Sequence, residues 1–152
     1  MSAHQIDPRG QRFTASVNLA GFAIALLAAP STVTILLLVV LGGGFLAATL
    51  AGPHRGPWAL IFKELIRPRL GAPKELEDSA PPRFAALVGL VFTVLALVGY
   101  LSGATLLGAI ATGFALAAAF LNAVFGFCLG CEVYLLARRL APTNRAGSPV
   151  AH

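Results

Sequence analysis

The chain has 152 residues, enough for one domain, but 57% of them are hydrophobic and only 11% are charged. Soluble domains carry about a quarter charged residues, so composition excludes that class and points to a lipid bilayer. The net charge of +5 does not imply nucleic acid, because no basic stripe is interleaved with aromatics for base stacking, and membrane proteins gather cations at their cytoplasmic face.

The lead-in runs from Ile6 to Phe13. Asp7 and Pro8 form a cap and first-turn pair for a short turn of helix, and Arg9 and Arg12 are cations that hold the N-terminus in the cytoplasm, with a role in covering a site as the alternative. Two apolar blocks follow, over about 13–29 and 32–51, with only Pro30 and Ser31 as a turn between them. Each is near the ~20 residues that a helix needs to cross ~30 Å of hydrocarbon. A signal peptide is the rival reading of the first block. A retained helix is preferred, because the preceding charges are mixed in sign and a second apolar block follows almost at once. Asn18 is expected to hydrogen-bond at the interface or to another helix.

The segment 52–83 is expected to be a cytoplasmic loop. Pro57 can start a helix in it and Pro68 is expected to end one. Between them Trp58, Ile61, Phe62, Leu65 and Ile66 recur at i, i+3, i+4, i+7 and i+8, with Lys63, Glu64 and Arg67 opposite. The pattern predicts a short amphipathic helix in the cytoplasmic interface, with Trp58 at headgroup depth; a docking surface for a partner is the alternative. Asp78 or Ser79 then caps a third long helix, with Pro81 and Pro82 in its first turn. Its apolar block covers about 84–101, and Ser102-Gly103-Ala104 joins it to a fourth over about 105–127. Glycine and alanine pervade the blocks and allow close helix packing.

The expected fold is therefore all-α: a polytopic membrane protein of four transmembrane helices in two hairpins, plus the interfacial helix. In lipid only helices and closed barrels satisfy their own backbone, and no strand-like alternation competes. The 11 Lys and Arg lie before the first helix, between the hairpins, or after the fourth helix. The positive-inside rule then places both termini, the central loop and the tail 138–152 in the cytoplasm of an inner-membrane protein. Oligomerisation is left open.

Cys128 and Cys131 are the two cysteines of the chain, three residues apart, with Glu132 adjoining. The fourth helix has used its ~20 spanning residues by about Phe125, so the motif falls at the cytoplasmic boundary. Cytosolic CxxC pairs are usually redox-active or metal-binding. On an unbroken helix 128, 131 and 132 share a face, and Glu132 can exchange a proton with Cys128. A helix C-terminus and an anionic Glu132 both oppose thiolate formation, however. Gly126 and Gly130 offer a remedy, a break that puts the cysteines at the start of a separate helix, with Arg138 or Arg139 supplying positive charge. Asn122 is expected to bond to a neighbouring helix and Tyr134 to anchor at the interface. Three readings of the cysteines stay open: disulfide exchange or carriage of a persulfide, packing as small hydrophobes, and a metal or iron–sulfur site. Two thiolates per chain support the last only with ligands from another chain, and no other cofactor is expected.

Asp7-Pro8-Arg9-Gly10, Arg67-Pro68-Arg69-Leu70-Gly71, Glu75-Leu76-Glu77-Asp78, Pro81-Pro82-Arg83-Phe84 and Phe125 to Tyr134 occur in that order. With them the chain resembles a bacterial family of small four-helix integral membrane proteins, classed as a domain of unknown function, that carries a C-terminal Phe-Gly-Phe-Cys-Leu-Gly-Cys-Glu motif. Ser79 departs from the Pro expected there. The resemblance transfers no catalytic residue. It implies thiol or sulfur traffic through association with thioredoxin-like and rhodanese-type sulfurtransferase proteins.

The expected function is a membrane-embedded thiol-disulfide or sulfur-relay component. Cys128 and Cys131 exchange, Glu132 is the proton partner, and a cytosolic thioredoxin-like or rhodanese-type protein is the partner. The alternatives are a transporter or channel subunit for a small sulfur species, against which the lack of an intramembrane charge pair counts, and a structural subunit of a membrane complex with packing cysteines.

Overall fold

A computed structural model describes residues 5–71, 77–78 and 80–140. The long helices are α1 (Pro8–Leu27), α2 (Thr32–Ala51), α5 (Ala80–Leu101) and α6 (Thr105–Phe125), and α7 (Leu129–Leu140) follows them. Asp7 caps α1 by accepting a hydrogen bond from the Arg9 N–H at 2.9 Å. With Pro8 as its first residue, the expected short lead-in turn becomes the first turn of α1 itself. Ser31 caps α2, its hydroxyl accepting from the Thr34 N–H at 3.3 Å. Pro81 and Pro82 lie in the first turn of α5 as expected, whereas the cap assigned to Asp78 or Ser79, and the tail beyond Leu140, fall outside the described residues and side chains.

Between the hairpins come a 3-10 turn (Pro53–Arg55), α3 (Pro57–Ile61), a π turn (Phe62–Ile66) and α4 (Arg67–Leu70). Pro68 does not stop this helix. A proline inside an α-helix lacks an N–H and crowds the carbonyl four residues back. The wider π turn loosens the ladder just ahead of it, and Pro68 then sits in the first turn of α4, where no N–H is required. Two strands of two residues each, β1 (Gln5–Ile6) and β2 (Glu77–Asp78), pair antiparallel with Ile6 opposite Glu77.

The four long helices form a closed ring in which α1 packs on α2 and α6, and α5 packs on the same two. Its interior is built from Phe22, Ala25, Leu38, Leu41, Ala96, Ala111 and Ala115. Thr34, Thr93 and Thr112 are fully buried there, and their hydroxyls donate to the carbonyls of Ala25, Gly89 and Gly108 at 2.7–2.8 Å. Apart from Phe22, Leu38 and Leu41, many large apolar side chains point outward. Leu36, Val39 and Val40 of α2, Val91 and Val98 of α5, and Leu106 and Phe114 of α6 are all at least half exposed. Alanine and threonine at the helix contacts and an apolar exterior are the arrangement of a bundle solvated by lipid. The protein is an all-α membrane protein, and α2, α5 and α6 are each long and apolar enough to cross a bilayer. α1 has the length, but Arg9, Gln11, Arg12 and Ser16 fall in its first half and Asn18 at its middle.

The two halves follow one plan, a hairpin and then an amphipathic helix that returns to the first helix of its own hairpin. Phe62 packs on Phe13 of α1 with ring centroids 5.8 Å apart, and Tyr134 of α7 packs on Phe84 of α5 at 5.6 Å. Arg-Phe opens each hairpin, as Arg12-Phe13 and as Arg83-Phe84. The two arginines are used reciprocally. The Arg12 guanidinium donates to the carbonyls of Ala123 and Val124 at the end of α6, both at 3.2 Å, while that of Arg83 donates to those of Thr49 and Leu50 at the end of α2, at 2.6 and 3.0 Å. The last carbonyls of a helix have no partner within it, so each hairpin closes the open end of the other.

Candidate functional site

α6 stops at Gly126, whose left-handed conformation (φ +68°) lets its N–H turn back to the Asn122 carbonyl at 3.0 Å. The chain restarts as α7 at Leu129, and Cys128 is its N-cap. The Cys128 carbonyl accepts the Glu132 N–H at 3.0 Å, and its Sγ accepts the Cys131 N–H at 3.3 Å. The helix is thus broken where the glycines allowed. Instead of lying at the negative end of α6, the cysteines lie at the positive end of α7, where unpaired N–H groups and the helix dipole favour a thiolate. Cys128 and Cys131 are joined as a disulfide, with Cα atoms 5.2 Å apart, and both are half-exposed. Glu132 is exposed in the first turn of α7, and no hydrogen bond joins it to either sulfur among the described residues.

The positive charge held at the turn just before the motif is not the expected one. Arg138 and Arg139 are in the last turn of α7, about 10 Å along the helix from Cys131, and Arg138 lies over the Tyr134 ring at 5.8 Å. Arg12 is the cation that reaches the site, holding the carbonyls of Ala123 and Val124 just ahead of the Gly126 turn. In the sequence its role looked topological, with the covering of a site as the alternative. The readable signal was the repeated Arg-Phe at the head of each hairpin, together with the need of α6 for donors at its end. Gly130 sets α7 against α5, with no room between them: a Cβ there would meet the Ala85 Cβ at 2.5 Å and its Cα at 2.6 Å. Tyr134, expected as an interfacial anchor, packs on Phe84.

The residues assigned to the interfacial helix divide between two directions. Phe62 is buried, its ring against Gly10, and Trp58 is half-buried with its indole Nε1 against Gly44. Ile66 is half-buried, whereas Ile61 and Leu65 are exposed. Trp58, expected at headgroup depth, packs on the bundle core, in space that Gly44 leaves open. The π turn also shifts the register after Ile61, so a single stripe does not persist along the helix.

A cavity of about 540 Å³ lies inside the half of the bundle next to the cysteines. Phe45, Phe92, Phe114 and Trp58 contribute rings to its wall, Gly44, Ala48, Ala85, Gly89, Ala115 and Ala118 keep it open, and Asn122 and Cys128 line it too. Asn122 makes no interhelical hydrogen bond among the described residues. Asn18, buried in α1, likewise leaves its Oδ1 without a partner. No group of three or more His, Cys, Asp or Glu among the described residues is placed to hold a metal ion.

At the same end of the bundle, Arg9 grips Asp7 through its guanidinium at 2.9 Å and donates to the Gly71 carbonyl at 3.0 Å. This ties the start of α1 to the end of α4. Burial alone would raise the Asp7 pKa. The hydrogen bonds from the Arg9 side chain and backbone, with the charges of Arg9 and Arg67, outweigh it and hold the carboxyl below its ordinary 3.8.

A family model described as a domain of unknown function, DUF4395, matches residues 6–139. The chain belongs to this family. No curated protein and no solved structure matches it. The DUF4395 match begins one residue before the Asp7 cap and ends at Arg139 in the last turn of α7. It therefore takes in all four long helices, both amphipathic helices, the cavity and the CxxC pair.

Proposed function

We propose that this DUF4395 protein is a membrane-embedded thiol-disulfide or sulfur-relay component of the inner membrane, working through Cys128 and Cys131 on the cytoplasmic side. The observation that carries the proposal is the position of Cys128, an N-cap whose sulfur accepts the Cys131 N–H, in a half-exposed pair close enough to bond. Partial exposure favours exchange over a packing role, because packed cysteines belong in the core. The described Lys and Arg all lie at the cysteine end of the bundle or in the segments joined to it, and none at the turns 28–31 and 102–104. That distribution supports α1 as a fourth span and a cytoplasmic site.

In the exchange, the Cys128 thiolate attacks a disulfide sulfur of the partner and one partner thiolate leaves. Cys131, deprotonated, then attacks Cys128 Sγ and expels the second partner thiolate, so the partner's disulfide is reduced as the Cys128–Cys131 bond forms. Glu132 and water carry the released protons. In the sulfur-carrying form, the Cys128 thiolate takes the outer sulfur of a donor persulfide and the donor thiolate leaves. A thioredoxin-like or rhodanese-type protein is the matching cytosolic partner. Alkylation and mass spectrometry of the purified protein, before and after a mild oxidant and then reduced thioredoxin, test the proposal. A reversible disulfide, or a persulfide formed with a sulfur donor, supports it. Thiols that label only after denaturation overturn it.

A further inference from the structure

We infer that the cavity beside Cys128 is the site of a lipid-soluble quinone that takes up the electrons of the Cys128–Cys131 dithiol. This rests on reading the pair as redox-active. The first argument is reach. The cavity lining runs from Pro82 to Phe92 on α5 and from Asn122 back to Phe114 on α6, about 12–15 Å of helix. The cavity therefore passes from the level of the cysteines into the depth of the bilayer. The second is shape. Its volume of about 540 Å³ falls within the ordinary range for small-molecule sites, and Phe45, Phe92, Phe114 and Trp58 offer ring faces to a flat ligand. The void is built into the packing: a Cβ on Gly89 would strike the Phe45 ring at 2.6–2.9 Å, so Phe45 keeps its place only while that residue is glycine.

Access and chemistry complete the case. Phe114 lines the cavity and is also 61% exposed on the lipid-facing surface, so its ring stands between the cavity and the bilayer. A ligand that enters there must be soluble in lipid. Asn122 and Cys128 both line the cavity, with Asp7, Gln11, His54, Lys63 and Arg67 as its other polar wall, giving an amide N–H for a ring carbonyl and a reactive sulfur in one site. Closing a disulfide from two thiols releases two electrons and two protons, and a 1,4-quinone accepts both sets as it becomes a quinol. The Cys128 thiolate adds to the ring. Cys131, deprotonated, attacks Cys128 Sγ, the ring leaves with the electron pair of the broken carbon–sulfur bond, and it takes up the protons.

Two measurements on the purified full chain in detergent test this. In the first, the disulfide form is titrated with decylubiquinone while the fluorescence of Trp58, the single tryptophan, is followed. Saturable quenching that dodecane does not relieve is expected. Quenching that rises without saturation, or that dodecane relieves, overturns the inference in favour of an alkyl-chain pocket. In the second, the reduced protein is mixed with decylubiquinone, and one quinol per disulfide formed is expected. Ala118→Phe, which fills the cavity, should slow this at least tenfold while oxidation by hydroxyethyl disulfide keeps its wild-type rate. That unchanged rate also shows the variant to be folded. Wild-type protein oxidised by hydroxyethyl disulfide but not by the quinone overturns the quinone site and leaves the relay standing. Thiols inert to both reagents overturn both.

Discussion

Replacing Gly130 by alanine should lever α7 off α5. The added Cβ would stand 2.5 Å from the Ala85 Cβ and 2.6 Å from its Cα, more than 1 Å inside the ~3.5–4.0 Å of ordinary carbon contact. One of the obstacles is backbone, so no rotamer change relieves it. Overpacking of this kind costs about 1–3 kcal/mol, offset by at most about 1 kcal/mol from the better helix propensity of alanine. A net loss of about 1–2 kcal/mol in the docking of α7 corresponds to a 5- to 30-fold rise in the undocked population. Cys128 moves with α7, so the consequence is chemical as well as structural. Iodoacetamide labelling of the reduced protein should lose its preference for Cys128 over Cys131, and protease should cut nearer Gly126. Gly43→Ala is the control, since a Cβ there meets nothing within 4 Å. If Gly130→Ala matches that control in labelling and proteolysis, the close contact does not seat α7 and the docking argument fails.

Three further outcomes follow from the described contacts. Arg12→Ala and Arg83→Ala should each lower unfolding stability in detergent by about 1 kcal/mol, less than the ~1.5–3 kcal/mol of hydrogen bonds to charged groups, because both arginines are exposed. Their effects should add, and lysine should restore less than half in either place, because it lacks the forked donor geometry. Cys128→Ser keeps an N-cap oxygen and should fold as wild type, yet leave Cys131 slow to alkylate at neutral pH. In Cys131→Ser the remaining Cys128 should alkylate several-fold faster, and equal rates would refute the N-cap argument. Asp7, held below 3.8 by its arginine partners, is ionised in both folded and unfolded chains above that value and supports the cap. As pH falls below 3.8 the unfolded chain is protonated first, so this stabilisation fades. Trp58 fluorescence against pH should show that loss in wild type and not in Asp7→Asn.

The hairpins could be read in the sequence because span length, the Pro30-Ser31 turn and the Ser102-Gly103-Ala104 turn are local features. The place of the cysteines followed from counting span residues, and Gly126 marked the break before α7, whereas Gly130, read as a second breaker, lies inside α7 and sets it against α5. What stayed hidden depends on partners distant in sequence. The open carbonyls of α6 needed donors, but nothing local named Arg12, more than a hundred residues earlier. The inward turn of Trp58 depends on the missing side chain of Gly44 on another helix. Pro68 looked like a stop because the relief for it, a π turn at Phe62–Ile66, has no compositional mark. The cavity was the least legible, since it is defined by what Gly89, Ala115 and Ala118 do not fill.

The crossed arginines also bear on how the chain enters the membrane. The first hairpin emerges from the ribosome with the carbonyls of Thr49 and Leu50 uncapped, and they stay so until Arg83 arrives at the head of the second. That second hairpin in turn finds its terminal carbonyls met by Arg12, synthesised long before. Insertion can proceed hairpin by hairpin, but closure cannot. Neither half reaches its final state alone, so the turn that presents Cys128 sets only after the whole bundle has been made.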